Sequence, residues 1–117
     1  MSKIIFLNGC GSSGKTSIAK AIQHTSSDLW LSFGVDTFID MIPFEKQELY
    51  LKFIPGQNER GATMYARLEP EGIKLFSAMP KFAKMIADLQ NNLIIDEALF
   101  DEEGLKSYAH HLKAHTV

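Results

Sequence analysis

The sequence predicts an α/β fold built on a parallel sheet, and three observations carry that prediction. Short apolar runs without strict alternation recur along the chain, at Ile4–Leu7, Leu29–Asp36 and Leu93–Ile95. That is how strands covered on both faces read. Stretches of helix-forming composition lie between them, which is the logic of βαβ units with right-handed crossovers. Finally, Gly9-Cys10-Gly11-Ser12-Ser13-Gly14-Lys15-Thr16 fits G-x-x-x-x-G-K-[ST], the phosphate-binding loop, with a strand before it and a helix after it.

The first strand covers Ile4, Ile5, Phe6 and Leu7, and the loop that follows explains its own composition. Three glycines and two serines let successive N–H groups turn inward toward phosphate oxygens. The loop then feeds a helix N-terminus, where unpaired N–H groups and the positive dipole end favour an anion. In such a loop Lys15 places a charge on the β- and γ-phosphates and the Thr16 hydroxyl ligates Mg²⁺. Cys10 lies inside the loop, where its backbone matters more than its thiol.

Helix one is expected from Gly14 to His24, and Thr25–Asp28 form a polar turn. Leu29–Asp36, LWLSFGVD, reads as a second interior strand. Asp36 then opens a short helical turn stopped by Pro43. Between Phe44 and Glu69, two apolar runs (Leu49–Ile54 and Ala62–Leu68) flank a turn-rich PGQNERG. Periodicity leaves a hairpin and an irregular cover both open there. From Pro70 to Asn91 the pattern is helical, with Leu75, Met79, Phe82, Ile86 and Leu89 on one face. Pro80 predicts a kink or a break within it, and Met79 and Met85 are expected as core filling. Leu93-Ile94-Ile95-Asp96 is a third buried strand, a helix follows from Asp101, and Thr116-Val117 reads as the first step of a further strand.

Composition limits the function classes. The 117 residues suit one domain, 1–117, and the apolar fraction of 45% with 22% charged residues is ordinary for a globular chain. A net charge of −2 without a basic run argues against nucleic acid or an anionic membrane as partner. No stretch approaches the ~20 apolar residues of a membrane span. With the first strand so near Met1 no leader peptide is expected, and Cys10 as the sole cysteine of these 117 residues leaves no disulfide within them. A reducing cytoplasm is the expected location.

Ligands of parallel sheets sit outside the carboxyl ends of the strands, which gathers the loop, Asp36 and Asp96 at one edge. Asp96 has the place of the acid that holds Mg²⁺ in such nucleotide sites, and Glu97 alternates to the other face. Asp36 is the candidate general base for a hydroxyl attacking a γ-phosphate, with a helix N-cap as a compatible structural role. His111 and His115, one turn apart, permit a metal-site reading. Their place near a helix C-terminus, with His110, suits a solvated face. Asp101-Glu102-Glu103-Gly104 matches the D-x-x-G of GTPases but reads better as an acidic helix start, and no N-K-x-D occurs in the chain.

FLNGCGSSGKTSIAKAIQ, WLSFGVDTFIDMIP and NNLIIDEALF together resemble the chloramphenicol phosphotransferase-like proteins, over about Ile4 to Phe100. The resemblance implies a three-layer α/β/α P-loop NTPase fold whose parallel sheet is incomplete here. It also implies phosphorylation by ATP, with Mg²⁺, of a hydroxyl on a small molecule. The family's base falls on Asp36, its phosphate lysine on Lys15 and its acidic strand end on Asp96. Trp30, Phe33 and Phe38 would border the acceptor pocket, Trp30 and Phe33 serving equally well as core. Relatives of this kind continue beyond Val117 into further strands and a lid with arginines, whereas this sequence has Arg60 and Arg67 alone. The rival from another class is therefore a catalytically silent nucleotide-binding module, and an unpaired sheet edge would allow a homodimer.

Overall fold

The computed structural model describes residues 2–8, 14–59, 61–97 and 102–115, apart from the side chains of Lys15, Asn58, Thr63, Met64, Tyr65, Glu102 and Glu103. Residues 9–13, most of the phosphate loop, lie outside the described residues, as do Arg60, Asp101 and the Thr116-Val117 pair.

Strand β1 (Ile4–Asn8) leads toward the loop, and helix α1 (Lys15–Thr25) leaves it. Gly14 caps α1 at φ 85°, the left-handed region that glycine enters without a Cβ penalty. Strand β2 (Trp30–Gly34) is shorter than the sequence suggests, because helix α2 (Val35–Ile39) already includes Val35 and Asp36. Its N-terminus is fixed by the Gly34 N–H, which donates to Thr37 Oγ1 at 3.2 Å. Asp36 is therefore in the first turn of α2 and is not its cap.

A 3-10 turn (Phe44–Leu49) precedes strands β3 (Leu51–Asn58) and β4 (Gly61–Leu68), which pair antiparallel from Leu51↔Leu68 to Asn58↔Gly61. The hairpin alternative is thus the correct one for this region. It forms a separate two-stranded sheet. With both strands at edges, Pro55 can sit in β3 because its missing N–H need not serve a third strand. Gly61, at φ 108°, supplies the left-handed residue at the hairpin's end.

The long helical pattern divides at Ser77-Ala78 into α3 (Pro70–Phe76) and α4 (Met79–Asp88). Pro80 sits in the first turn of α4, where its missing N–H belongs to the groups that have no helical partner anyway. Met79 is buried, and Leu75, Phe82 and Ile86 pack against the core. Two members of the expected buried set are corrected: Leu89 is 71% exposed and Met85 60%. Leu89 falls just past the end of α4, where Gln90 turns the chain out at φ 68°, and Met85 lies on the helix's outer face. Helix α5 (Glu102–His111) is the last described element, followed by a turn through residue 115.

Strand β5 (Asn92–Glu97) is the centre of the main sheet, in the order β1-β5-β2, with both neighbours parallel to it. Its Leu93, Ile94 and Ile95 are 1%, 0% and 0% exposed. Alternation sends Leu93 and Ile95 into a cluster with Ile4, Phe33, Met79, Ala83 and Tyr108, beneath α4 and α5. Ile94 and Asp96 face the opposite side, where α1 packs. Helices therefore cover both faces, giving the three-layer arrangement. At about 1.5–3 kcal/mol for each fully buried large aliphatic side chain, this strand is a principal source of stability. At the amino end of the sheet Asn92 ties the strands together. Its Oδ1 accepts from the Lys3 N–H at 3.0 Å and its Nδ2 donates to the Leu29 carbonyl at 3.3 Å.

Candidate functional site

The carboxyl end of β5 is flanked by the ends of both neighbours: Asp96 pairs in register with Leu7 on β1 and with Gly34 on β2. Leu7 is two residues before Gly9, where the phosphate loop starts, and Gly34 is two residues before Asp36. Parallel pairing alone thus brings the end of β1, the start of α2 with Asp36, and Asp96 to one edge of the sheet.

The decisive contact is across the layers. Thr16, the second residue of α1, donates its Oγ1 hydroxyl to Asp96 Oδ2 at 3.0 Å, over a separation of 80 residues. A hydroxyl beside a carboxylate, both at the partly open edge of a sheet, presents the oxygen donors that a hard divalent cation takes. This donor pair fits Mg²⁺ held between protein and substrate phosphates, as in phosphoryl-transfer sites. The backbone of Gly14, Lys15 and Thr16 forms the entry to α1, and the Ile18 N–H already donates to the Gly14 carbonyl at 3.1 Å. Gly9, Cys10, Gly11, Ser12 and Ser13 and the Lys15 side chain lie outside the described residues. Asp36 is exposed in the first turn of α2, available to a molecule at the same edge.

Glu97 behaves differently from its neighbour. It points to the α4–α5 face, is 5% exposed, and accepts a hydrogen bond from the Tyr108 hydroxyl at 2.8 Å. The Tyr108 ring in turn packs edge-on against Phe6, at 5.1 Å between centroids. Burial, and then the adjacent Glu97 carboxylate, push the Tyr108 phenol well above its ordinary value. The pair binds α5 to the end of β5, directly beside Asp96.

Phe33 and Phe38 are buried and form a cluster with Phe82, with centroids 5.0 to 6.2 Å apart, so both belong to the core. Trp30 is half-buried, its indole N–H donating to Ser26 Oγ at 3.2 Å. The expected solvated face does not hold for His115, which lies past the end of α5 with its side chain 6% exposed and Nε2 2.7 Å from Asp88 Oδ1, while His111 Nδ1 is 2.8 Å from the Ser107 carbonyl within α5. Among the described residues no three or more His, Cys, Asp or Glu side chains are grouped to hold a metal. Arg67 is engaged at the hairpin base, its guanidinium donating to Glu69 at 2.8 and 3.1 Å. No helix among the described residues is long and apolar enough to cross a membrane.

The family model for chloramphenicol phosphotransferase-like proteins matches residues 2–117. The chain belongs to that family. Its helix-covered parallel sheet is accordingly a P-loop kinase fold. It is also 29% identical over 115 residues to a curated protein from each of two strains of Mycobacterium tuberculosis, both named "Putative O-phosphotransferase". Those alignments cover 88% of this chain and 49% of each relative, so the chain spans about half the length of the curated relatives it matches.

Gly34 is the residue whose importance sequence reasoning missed. A glycine inside an apolar strand pattern is a known sign of close backbone approach, but the approaching segment is 62 positions away, as the Gly34↔Asp96 register makes clear.

Proposed function

We propose that this chain carries the nucleotide-binding and base-bearing part of an ATP-dependent O-phosphotransferase whose acceptor is a hydroxyl on a small molecule. The single observation that supports this reading best is the 3.0 Å hydrogen bond joining Thr16 of the phosphate-loop motif to Asp96 at the central strand's end. It couples the two parts of the sequence that such chemistry needs. In this reading Gly9, Cys10, Gly11, Ser12, Ser13, Gly14, Lys15 and Thr16 receive the ATP phosphates. Thr16 and Asp96 hold Mg²⁺, which would neutralise phosphate charge. Lys15 adds a positive charge where negative charge develops. Asp36 accepts the proton of the acceptor hydroxyl as its oxygen bonds to the γ-phosphorus and the bond to the ADP oxygen breaks. The small-molecule acceptor enters from the α2 side, and neither nucleic acid nor membrane takes part.

A thermal-shift series followed by an ADP-release assay tests this. Mg-ATP should raise the melting temperature, and Lys15→Ala should abolish the rise. ADP release dependent on an alcohol acceptor, with chloramphenicol as first probe, should vanish in Asp36→Asn. Release that persists unchanged would remove Asp36 from the mechanism. Binding of ATP without release for any alcohol would instead favour a silent nucleotide-binding module.

A further inference from the structure

We propose that Gly34 is a positioning residue: it lets β2 close against the backbone of Asp96 and so sets where Asp96, at the end of β5, and Asp36, in the first turn of α2, stand. This rests on the phosphotransfer reading above. An ideal Cβ at Gly34 would lie 1.7 Å from the Asp96 carbonyl oxygen and 2.8 Å from its carbonyl carbon, whereas real Cβ atoms essentially never come within 3.0 Å of a neighbour. The obstacle is main chain, which cannot swing aside as a side-chain tip can. Even alanine therefore requires the ends of β2 and β5 to separate. The backbone at Gly34 is extended, at φ −170°, a conformation open to every residue, so the requirement is for space and not for torsional freedom.

Gly34 also reaches the other acid. Its N–H donates to Thr37 Oγ1 at 3.2 Å, which fastens it to the helical turn that contains Asp36. One residue thus touches the backbone of Asp96 and anchors the turn of Asp36. On β5, the Asp96 carboxylate is at hydrogen-bonding distance from Thr16. A side chain at 34 would displace Asp96 relative to Thr16, Asp36 relative to Asp96, or both. Misplacement by about 1 Å can cost on the order of a hundredfold in a positioned constellation.

The test compares ATP affinity with Mg²⁺ and with EDTA for the wild type, Gly34→Ala and Gly72→Ala. Gly72 is the control because a Cβ there would also meet main chain, 1.9 Å from the Tyr50 carbonyl oxygen, but at the base of the hairpin. Mg²⁺ should tighten ATP binding to the wild type. In Gly34→Ala that gain should fall about tenfold, while the affinity in EDTA, carried by residues 9–16, changes by no more than about twofold. Gly72→Ala should lose stability and keep the wild-type gain. If Gly34→Ala does not fold, Thr37→Val frees the Gly34 N–H without adding bulk beside Asp96. The gain should then fall about threefold, the equivalent of one neutral hydrogen bond, and Thr37→Ser should restore it. An undiminished gain in Gly34→Ala, an equal loss in Gly72→Ala, or an unaltered Thr37→Val in the fallback overturns the inference and leaves the phosphotransfer reading standing. A wild type that binds no ATP, or binds it without any Mg²⁺ gain, overturns that reading and this inference together.

Discussion

The two sheets of this molecule contain strands of comparable apolar character and treat them in opposite ways. Strand β5 buries Leu93, Ile94 and Ile95 almost completely, while β3 leaves Phe53 64% exposed and β4 leaves Leu68 43% exposed. The difference is one of cover. Strand β5 has a parallel neighbour on each side and helices over both faces, whereas the hairpin touches other elements through the 3-10 segment and α3 at its base. A two-stranded ribbon is marginal by itself, so the parallel sheet supplies the stability and the hairpin depends on it.

The largest effect expected from that contrast is at the central strand. Ile94→Ala should cost about 2–5 kcal/mol, read from the urea midpoint, against no more than about 0.5 kcal/mol for Phe53→Ala. Equal losses at the two positions would erase the distinction. Next in size is Tyr108→Phe, which removes a donor from a buried carboxylate and should cost about 1–3 kcal/mol. It carries a pH signature as well. The folded state keeps the Tyr108 proton more tightly than the unfolded chain, whose phenol titrates near pH ~10. The stabilisation is therefore complete below about pH 10 and declines as pH rises beyond it. Tyr108→Phe should flatten that alkaline decline, and an unaltered slope would mean the phenol is not protected.

Hydrogen exchange sharpens the comparison further. Amides of β3 and β4 should exchange through local opening, and those of β5 only when the whole fold opens. Uniform protection of both sheets would make them one cooperative unit. The smallest effect is expected at an exposed pair. Hydrogen bonds from Lys84 and then His115 hold the Asp88 carboxyl below the usual range, so their contribution is present at neutral pH and is lost on acidification through that lowered value. Because the Lys84 and Asp88 side chains are open to solvent and screened by salt, and an Asn amide still offers the largely buried His115 ring a hydrogen-bond partner, Asp88→Asn should scarcely move the melting temperature at pH 7. It should flatten only the acid limb below about pH 4. A large loss at neutral pH would show a stronger pair than exposure allows.

Much of the candidate site was legible because its signals are local. Gly9–Thr16 needs only its own eight residues and the strand and helix beside it. Asp96 is recognisable as an acid at the end of an apolar run, and Pro80 announces its break wherever the helix lies. Legibility failed where the outcome depended on distant partners. Leu89 satisfied the helical period and is exposed, because the helix ends one residue earlier. The 44–69 region offered two apolar runs and no way to choose their relationship until the Leu51↔Leu68 pairing joined them. Glu97 could be assigned to the opposite face by alternation, but its partner Tyr108 could not be named.

The sequence by itself determined the three strands of the parallel sheet, the phosphate-loop motif and the acids at or just past strand ends, since periodicity and turn chemistry are set by neighbouring residues. The tertiary structure alone decided that β5, the last strand among the described residues, would stand in the middle of the sheet. It also decided that Thr16 would meet Asp96 and that nothing larger than glycine would fit at position 34. Those outcomes are lateral: a strand's alternation fixes which side chains face which way, but its neighbours are chosen by the burial of whole faces, by residues tens of positions apart.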